Sequence, residues 1–274
     1  MRFLQILLSC FALLNLQLAA ETEETTAHEI AETQPAAGRI VIIIDDIGYH
    51  KSDARLVELP YPLTFAVLPH TPYGQRYAKL AYQQQKDVML HMPMESSNGK
   101  ALGPGGLTQE MSREQVHATL EAALADIPYA IGVNNHMGSL YTELEQPMSW
   151  TMEYLQQRRM FFVDSVTTPR SKAREQAARH QVVTLSRQVF LDNELDNDAI
   201  QKQFDQLLRI ARKYKTAIGI AHPHQETYQF LKEVLPQLAD QHIELVGISA
   251  LLPDNHHTVS AGFTAPAQIN AEDK

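Results

Sequence analysis

The stretch Arg39-Ile-Val-Ile-Ile-Ile-Asp45-Asp46 decides the fold class of this chain. Its run of β-branched apolar residues predicts a strand that is buried on both faces, because a strand with one solvent face alternates apolar and polar side chains. Such strands are typical of parallel sheets that are covered by helices. The two aspartates follow at the carboxyl end of the strand, which is where functional residues gather in such sheets.

Further short apolar runs follow the first strand and predict a series of buried strands. They lie at residues 63–68, 87–91, 130–133, 160–164, 181–185, 217–222 and 243–246. Helical patterns lie between several of these runs, so strand and helix alternate about seven times. This alternation predicts an α/β domain in which seven or eight parallel strands form a (β/α) barrel. An open doubly wound sheet is the alternative architecture.

Three of the helical patterns carry boundary signals. Ser112 and Gln115 have the spacing of a capping box, which predicts the start of a helix. Asp198 is the expected cap of a second helix. Apolar residues recur at helical spacing over residues 228–238, and Pro236 weakens the end of this third pattern.

The two ends of the chain differ in composition from its middle. Residues 1–20 combine a short basic start, an apolar run and two small residues before an acidic segment, which predicts a secretory signal peptide. An uncleaved membrane anchor is the competing interpretation. Residues 21–38 and 254–274 have few large apolar side chains, which predicts a disordered acidic linker and a disordered tail. We therefore expect residues 39–253 to form the folded domain of an exported protein, periplasmic or secreted, without a transmembrane domain after signal cleavage.

The overall composition excludes several classes of function. The chain has 23 Lys and Arg against 32 Asp and Glu, a formal net charge of −9, which argues against nucleic acid as a partner. Its single cysteine excludes an internal disulfide and a cysteine-based zinc cluster. Any metal site must therefore use carboxylates and imidazoles, and the chain has 12 histidines.

Polar residues occupy the carboxyl ends of five predicted strands, and this is the main functional signal. In chain order they are Asp45-Asp46, His91, Asn134-Asn135-His136, Asp164 and His222. Adjacent carboxylates repel each other at the end of a buried strand, unless a cation neutralises one of them or one takes a raised pKa. Together with the histidines they predict a site for a divalent metal ion, and this set of ligand types favours Zn²⁺. The competing interpretation of Asp45-Asp46 is a turn, since Gly48 follows closely.

The ordered set of motifs resembles the divergent polysaccharide deacetylase family, a branch of the NodB-like carbohydrate esterases. The motifs span most of residues 39–253 and are Ile-Ile-Asp45-Asp46-Ile-Gly48, Leu90-His91-Met-Pro93-Met-Glu95, Gly132-Val-Asn134-Asn135-His136-Met-Gly138-Ser139, Phe161-Phe-Val-Asp164-Ser165 and Ile218-Gly-Ile-Ala-His222-Pro223. The resemblance implies an irregular (β/α) barrel and removal of acetyl groups from N-acetylated glycans with a divalent metal.

The resemblance also implies a role for each motif residue. Asp45 matches the general base and His222 matches the general acid. Asp46 and His91 match metal ligands. The second histidine of the wider family's His-Ser/Thr-x-x-His motif is replaced here by Glu95, so that His136 becomes the expected third ligand.

Four other residues, Glu95 among them, are expected to support this site or to contact the substrate. Asp164 is the expected partner that orients a metal ligand or His222. Asn134 and Asn135 stand where the wider family has an arginine-containing motif, and we expect Asn134 or Asn135 to position the substrate.

These observations predict a metal-dependent hydrolase that removes acetyl groups from an N-acetylated polysaccharide or cell-envelope glycan. A catalytically degenerate protein that binds an envelope glycan or an envelope protein partner without turnover is the alternative, because fold does not imply activity. Hydrolysis of a phosphoester is a third interpretation. The scarcity of Lys and Arg around the motifs disfavours it, since a transferring phosphoryl group needs cationic partners.

Overall fold

The computed structural model describes residues 36–253, and the compact unit begins at Ala37. The predicted signal peptide, most of the predicted linker and the predicted tail at 254–274 lie outside the described residues. Gly38, which we assigned to the linker, is the first residue of the first strand. Among residues 36–253, no helix combines the length and the hydropathy that crossing a bilayer requires.

The strands of the described chain form one parallel sheet. They are β1 (Gly38–Ile47), β2 (Thr64–Val67), β3 (Val88–Met94), β4 (Gly132–Met137), β5 (Phe161–Asp164), β6 (Thr184–Ser186), β7 (Val189–Phe190), β8 (Thr216–Ala221) and β9 (Ile243–Leu245). The order is β6-β5-β4-β3-β2-β1-β8-β7, and β9 pairs with the first residues of β1. Every strand pair is parallel. Parallel pairing places all carboxyl ends at one edge of the sheet, as expected from the sequence.

Helices follow most of the strands. They are α1 (Ala54–Val57), α2 (Gly74–Gln83), α3 (Arg113–Asp126), α4 (Glu145–Gln157), α5 (Ala173–Arg179), α6 (Asn197–Tyr214) and α7 (Gln225–Val234). Short 3₁₀ segments lie at Lys51–Asp53, Tyr141–Glu143, Leu235–Gln237 and Ile248–Leu251. The predicted capping box of α3 is present: Ser112 is the N-cap residue, and its side chain accepts a hydrogen bond from Gln115 N. Helix α7 ends at Val234, and the 3₁₀ segment Leu235–Gln237 contains Pro236. Proline has no backbone N–H to continue the α-helical hydrogen bonds.

The prediction of an irregular (β/α) barrel is confirmed. β6 and β7 follow each other in the chain but lie at opposite ends of the strand order. The two residues between them join those ends, since Arg187 N donates to Asp164 O and Gln188 N donates to Ile218 O, at 3.0 and 2.9 Å. The Gln188 side chain also accepts from Ile218 N at 2.6 Å. The chain itself therefore crosses the seam, where a regular barrel would have a strand pair.

Strand β1 is buried on both faces, which explains its unbroken apolar run. Ile40, Ile42 and Ile44 belong to the core between the sheet and the helices. Val41 and Ile43 belong to a second core inside the barrel. Burying such side chains contributes about 1.5–3 kcal/mol each. The β1 sequence therefore favours a barrel with a packed interior and a helical outer layer.

The interior core is closed at the amino ends of the strands, which leaves the carboxyl ends for the site. The 3₁₀ segment Ile248–Leu251 lies there, and Ile248 N donates to the Oγ1 of Thr64, the first residue of β2. Ser249 N donates to Asp87 Oδ2 just before β3.

Two local predictions need correction. Strand β7 was not predicted, because two residues carry too little pattern to distinguish them from a loop. The cap of α6 is Asp196 instead of Asp198, and its carboxylate accepts from Asp198 N and Ala199 N. Asp198 lies in the first turn, where its negative charge favours the helix dipole.

Candidate metal centre and acid–base pair

A bulge in β1 turns two successive aspartates toward the same place. The pairing of β1 with β2 shifts register between Ile44 and Ile47, and Asp46 has a left-handed backbone with φ of 58°. Side chains of a regular strand alternate between faces, so this distortion is needed for both carboxylates to face one partner. His91 Nε2 lies 3.0 Å from Asp46 Oδ1 and 3.7 Å from Asp45 Oδ2. A left-handed non-glycine residue is a strained feature that is common at functional sites.

Three predicted metal ligands lie together at the carboxyl edge. Asp46 comes from β1, His91 from β3 and His136 from β4. Asp46 Oδ1 lies 2.8 Å from His136 Nδ1 and 3.0 Å from His91 Nε2. One potential ligand atom from each residue lies within 4.8 Å of the others. We refer to these three residues as the ligand cluster.

Asn134 connects the ligand cluster to Asp45. Its Oδ1 lies 2.8 Å from His91 Nδ1, and its Nδ2 donates to Asp45 Oδ1 at 2.8 Å. Because Oδ1 is an acceptor, Nδ1 of His91 donates, and Nε2 is the nitrogen that faces Asp46. Asn134 is fully buried, so its amide serves these two bonds. Its contacts are therefore with Asp45 and His91, where we had expected a contact with substrate.

The charges of the site shift the pKa values of its acidic groups in opposite directions. Burial raises the pKa of Asp45, although the charges of His91 and His222 and the bond from Asn134 counteract it. Burial also acts on Asp46, but hydrogen bonds from His136 and His91 outweigh it and hold its pKa well below the usual range. Asp46 is thus a fixed anion, and Asp45 is a carboxylate with a raised affinity for protons.

His222 forms a hydrogen-bonded pair with a buried carboxylate. Its Nδ1 lies 2.9 Å from Asp192 Oδ1, and its backbone N donates to Asp192 Oδ2 at 2.6 Å. Thr227 Oγ1 also donates to Asp192 Oδ2, at 2.7 Å. Burial lowers the pKa of His222, but the bond to Asp192 and the charges of Asp192, Asp45 and Asp46 outweigh it and raise the pKa to about 9.

The register of the sheet places this pair beside Asp45. Ile44 of β1 forms the last pair with Ala221 of β8, so Asp45 within β1 and His222 directly after β8 are the next residues of the two neighbouring chains. Nδ1 of His222 is held by Asp192, which leaves Nε2 as the nitrogen available to another molecule.

The geometry agrees with the family to which the sequence matches. A model of the divergent polysaccharide deacetylases matches residues 42–252. The chain belongs to this family. An uncharacterized protein of Haemophilus influenzae is 37% identical over 217 residues, which cover 79% of this chain and 77% of that protein. The uncharacterized protein YibQ of Escherichia coli is 33% identical over 217 residues, which cover 79% of this chain and 68% of YibQ.

Solved structures share the fold of this protein. An uncharacterized protein of Agrobacterium tumefaciens has a TM-score of 0.75 and 24% identity, covering 78% of this chain and 89% of that one. A peptidoglycan N-acetylglucosamine deacetylase, Bc1960, has a TM-score of 0.51 at 14% identity, covering 79% and 88%. A pseudoenzyme of the CE4 family from Bacillus anthracis has a TM-score of 0.50 at 16% identity, covering 80% and 67%. These similarities establish the fold.

Two of the predicted supporting residues, Asp164 and Glu95, have other partners in this protein. Asp164 Oδ1 accepts from Val166 N within the turn after β5. Glu95 accepts from Gln109 N and from Gln109 Nε2. Asp192 is the residue that holds Nδ1 of His222, and among residues 36–253 no hydrogen bond joins Asp164 to His222 or to the ligand cluster.

Asn135 joins the turns that follow β4 and β5. Its Nδ2 donates to Met137 O at 2.7 Å, and its Oδ1 accepts from Ser165 N at 2.9 Å. Thr167 Oγ1 donates to the same Met137 carbonyl at 2.9 Å. Asn135 is buried, so it fixes the backbone on either side of His136, where we had expected a contact with substrate.

Sequence reasoning missed two residues at this edge of the family's barrel. Asp192 follows the unpredicted strand β7, so no strand end marked it. Arg187 lies in the seam, and its guanidinium donates to Ser165 O at 2.6 Å and to Val166 O at 2.8 Å. Its Cζ lies 3.7 Å from the centre of the Phe190 ring, and that ring stacks on His222 at 6.0 Å. Only the tertiary structure reveals this stack.

The ligand cluster fits the divalent cation on which the wider family depends. One carboxylate and two imidazoles are a donor set that zinc accepts, with further positions left for water or substrate. Metal-binding histidines in general hydrogen-bond a polar group through the ring nitrogen that does not bind the metal. In His91 that nitrogen is Nδ1, and its partner is Asn134 Oδ1. The buried Asp45 and the half-buried Asp46 also bring two negative charges together, which a cation would neutralise.

Proposed function

We propose that this protein is a metal-dependent hydrolase that removes acetyl groups from an N-acetylated polysaccharide or cell-envelope glycan. The observation that carries the proposal is the position of a buried carboxylate and an imidazole, Asp45 and His222, on neighbouring strands beside the ligand cluster. Family membership supports the reaction class. Hydrolysis of an amide needs a proton acceptor for water and a proton donor for the leaving amine, and these two residues are of the required types.

Asp46, His91 and His136 would hold the cation, which we propose to be Zn²⁺. When bound, such an ion supplies Lewis-acid polarisation of a carbonyl and lowers the pKa of water to about 7. Asn134 would keep Nε2 of His91 directed at Asp46, as the hydrogen bond to Nδ1 requires. Asn135 would keep His136 in place through the turns on either side of it.

Asp45 would accept the proton of the attacking water. The oxygen of that water forms a bond to the acetyl carbon, and the proton moves to the Asp45 carboxylate. Burial raises the pKa of Asp45, and a base is most effective when its pKa lies close to the working pH. The Nδ2 of Asn134 occupies Oδ1 of Asp45, which leaves Oδ2 as the accepting oxygen.

His222 would donate a proton to the amine nitrogen as the C–N bond breaks, so that acetate and a free amino sugar leave. Its pKa of about 9 keeps the ring protonated at neutral pH. Asp192 holds Nδ1 and stabilises the imidazolium, so that Nε2 is the donating atom. The proton that Asp45 gained can return to His222 through solvent, which restores the starting state.

We further propose that the substrate lies in the cell envelope. The apolar segment at residues 1–20 supports export to the periplasm or the exterior. The structural neighbour Bc1960 is a peptidoglycan N-acetylglucosamine deacetylase, which supports an amino-sugar polymer as the substrate class. A net charge of −9 supports a ligand that is not polyanionic.

Acetate release tests the proposal directly. The full-length protein is loaded with zinc and incubated with acetylated chitooligosaccharides and with peptidoglycan fragments, and free acetate is measured. We expect release by the wild type, and loss of release in Asp45→Asn with retention of the metal. Asp126→Asn is the matched control, because Asp126 binds His70 N and Gln75 away from the ligand cluster. Equal release by Asp45→Asn and the wild type would contradict the proposal.

Binding without turnover is the second candidate function. Glu95 replaces the second histidine of the wider family's motif, and its carboxylate binds Gln109. The fold neighbour from Bacillus anthracis is a pseudoenzyme, and a mutant of it has restored enzymatic activity. Saturable binding of an acetylated glycan by the zinc-loaded protein, without acetate release, would favour this function over hydrolysis.

A further inference from the structure

Asp192, His222 and His224 form a second group of metal-ligating side chains at the carboxyl edge. One potential ligand atom from each lies within 4.8 Å of the others. Asp192 is buried, His222 is half-buried and His224 is exposed, so the group opens to solvent on one side. We refer to these residues as the second cluster. It shares no residue with the ligand cluster.

The backbone between the two histidines turns both imidazoles toward Asp192. His224 N donates to His222 O at 2.8 Å, which closes a three-residue turn around Pro223. The ring centroids of His222 and His224 lie 6.1 Å apart. His224 is the residue before α7, and its side chain makes no hydrogen bond to that helix. Its imidazole is therefore available to a ligand.

The distances in the second cluster are close to those that a tetrahedral ion requires. Ligand atoms around zinc lie about 3.3 Å apart, given zinc–nitrogen distances of about 2.0–2.1 Å. Asp192 Oδ1 and His222 Nδ1 are 2.9 Å apart. Asp192 Oδ2 is held by His222 N and Thr227 Oγ1, so the carboxylate is already oriented. The exposed His224 already has one ring nitrogen within 4.8 Å of ligand atoms of Asp192 and His222, and its ring makes no hydrogen bond to α7.

We propose that the second cluster is an inhibitory binding site for a divalent transition-metal ion such as Zn²⁺. The binding itself is independent of the proposed function, whereas the inhibition rests on His222 as the proton donor. A bound ion replaces one of the two protons of the imidazolium. Coordination through Nε2 occupies the donating atom, and coordination through Nδ1 leaves a neutral ring. The protein is therefore activated by the first zinc ion and inhibited by the second.

Zinc stoichiometry tests the site without reference to activity. Equilibrium dialysis of the full-length protein against increasing Zn²⁺ is expected to show two ions, one tight and one weaker. In His224→Ala the affinity for the weaker ion should fall at least about 10-fold. Loss of a residue that only hydrogen-bonds a metal ligand already lowers metal affinity by about 10–100-fold. His50→Ala is the matched control, since His50 is an exposed histidine in the turn after β1. A single ion in the wild type, or two ions of unchanged affinity in His224→Ala, would overturn the proposal.

Acetate release then tests the inhibition. Excess Zn²⁺ is expected to suppress release by the wild type at the concentration that fills the weaker site. In His224→Ala the midpoint of suppression should rise at least about 10-fold, in parallel with the affinity. Suppression that is identical in the two proteins would refute the inhibitory role. If neither protein releases acetate but dialysis shows two ions, the cation site stands, while the proposed hydrolysis and the inhibition both fail.

Discussion

The ligand cluster and the second cluster contain the same residue types in different arrangements. In the ligand cluster the neutral amide of Asn134 holds Nδ1 of His91, and the carboxylates face Nε2. At His222 the carboxylate of Asp192 holds Nδ1 instead, and no carboxylate of residues 36–253 forms a hydrogen bond or ion pair with Nε2. Carboxylates on the open nitrogen attract a cation to that nitrogen, whereas a carboxylate behind the ring stabilises an imidazolium.

The two arrangements therefore suit two chemical tasks. Burial lowers the pKa of His91, but the charges of Asp45 and Asp46 outweigh burial and raise it. The same two charges would attract a metal ion in place of the proton. The raised pKa of His222 depends first on the bond to Asp192. The comparison teaches that the position of the carboxylate around the ring, more than its presence, decides whether the imidazole binds a cation tightly or holds a proton that a second, weaker cation can displace.

Removal of Asp46 should have the largest effect, because Asp46 Oδ1 contacts both histidines of the ligand cluster. We expect Asp46→Ala to weaken zinc binding at the ligand cluster by more than about 100-fold and to reduce acetate release to background. Loss of a residue that only hydrogen-bonds a metal ligand already lowers metal affinity by about 10–100-fold, and loss of a ligand should cost more. Dialysis and the acetate assay measure the two effects. Tight zinc binding by Asp46→Ala would show that the cation lies elsewhere.

Removal of His222 should abolish turnover and leave the tight metal site intact. We expect His222→Ala to lower kcat by about 10²–10⁴-fold, the usual contribution of a general acid. Zinc binding at the ligand cluster should match that of the wild type, because no hydrogen bond connects His222 to those residues in the described chain. A variant with near-normal kcat would mean that another group protonates the amine.

Replacement of Asn134 should have an intermediate effect on both metal and base. Asn134→Ala removes the acceptor at His91 Nδ1 and the donor to Asp45 at once. We expect the affinity for zinc to fall about 10–100-fold, as for other outer partners. The Asn135→Ala variant is a useful contrast, because its bonds act on His136 through the backbone. Unchanged zinc affinity in Asn134→Ala would contradict the role assigned to the amide.

Replacement of Asp192 should shift a pH profile, which is the smallest of these effects. The pKa of about 9 for His222 predicts that kcat/KM falls as pH rises through about 9, because the donor loses its proton. In Asp192→Asn the largest stabilising bond of the imidazolium is weakened, so the falling limb should move to lower pH. The profile is measured at equimolar zinc. A falling limb at the same pH in both proteins would exclude control by Asp192.

The free energy of unfolding should also fall as pH rises, because the pKa of His222 is raised in the folded protein. A histidine whose pKa is raised on folding stabilises the protein below its unfolded pKa of about 6.5, and this contribution is lost as pH rises toward the folded pKa. For His222 the loss therefore occurs between about 6.5 and about 9.

The sequence was informative wherever one residue type at a strand end carried the signal. The apolar run of β1 predicted a strand that is buried on both faces, and Asp46, His91 and His136 do meet at the carboxyl edge. The end of each strand is visible in a pattern of apolar residues, so the residue that follows it can be placed without coordinates.

The sequence was not informative where register or backbone distortion decides the contact. Asn134 meets His91 because those residues pair between β3 and β4, and no local pattern reveals that pairing. The left-handed backbone of Asp46 depends on the bulge in β1. Asp192 lies beyond a strand of two residues, which is too short to recognise, and Asp164 therefore took its place in the prediction.

The most direct test of the central claim is the position of zinc in crystals of the protein with equimolar Zn²⁺. An anomalous difference map at the zinc absorption edge should show one peak within about 2.0–2.2 Å of a ligand atom from each of Asp46, His91 and His136. No peak at this position, or a peak only at the Asp192–His222–His224 cluster, would contradict the claim.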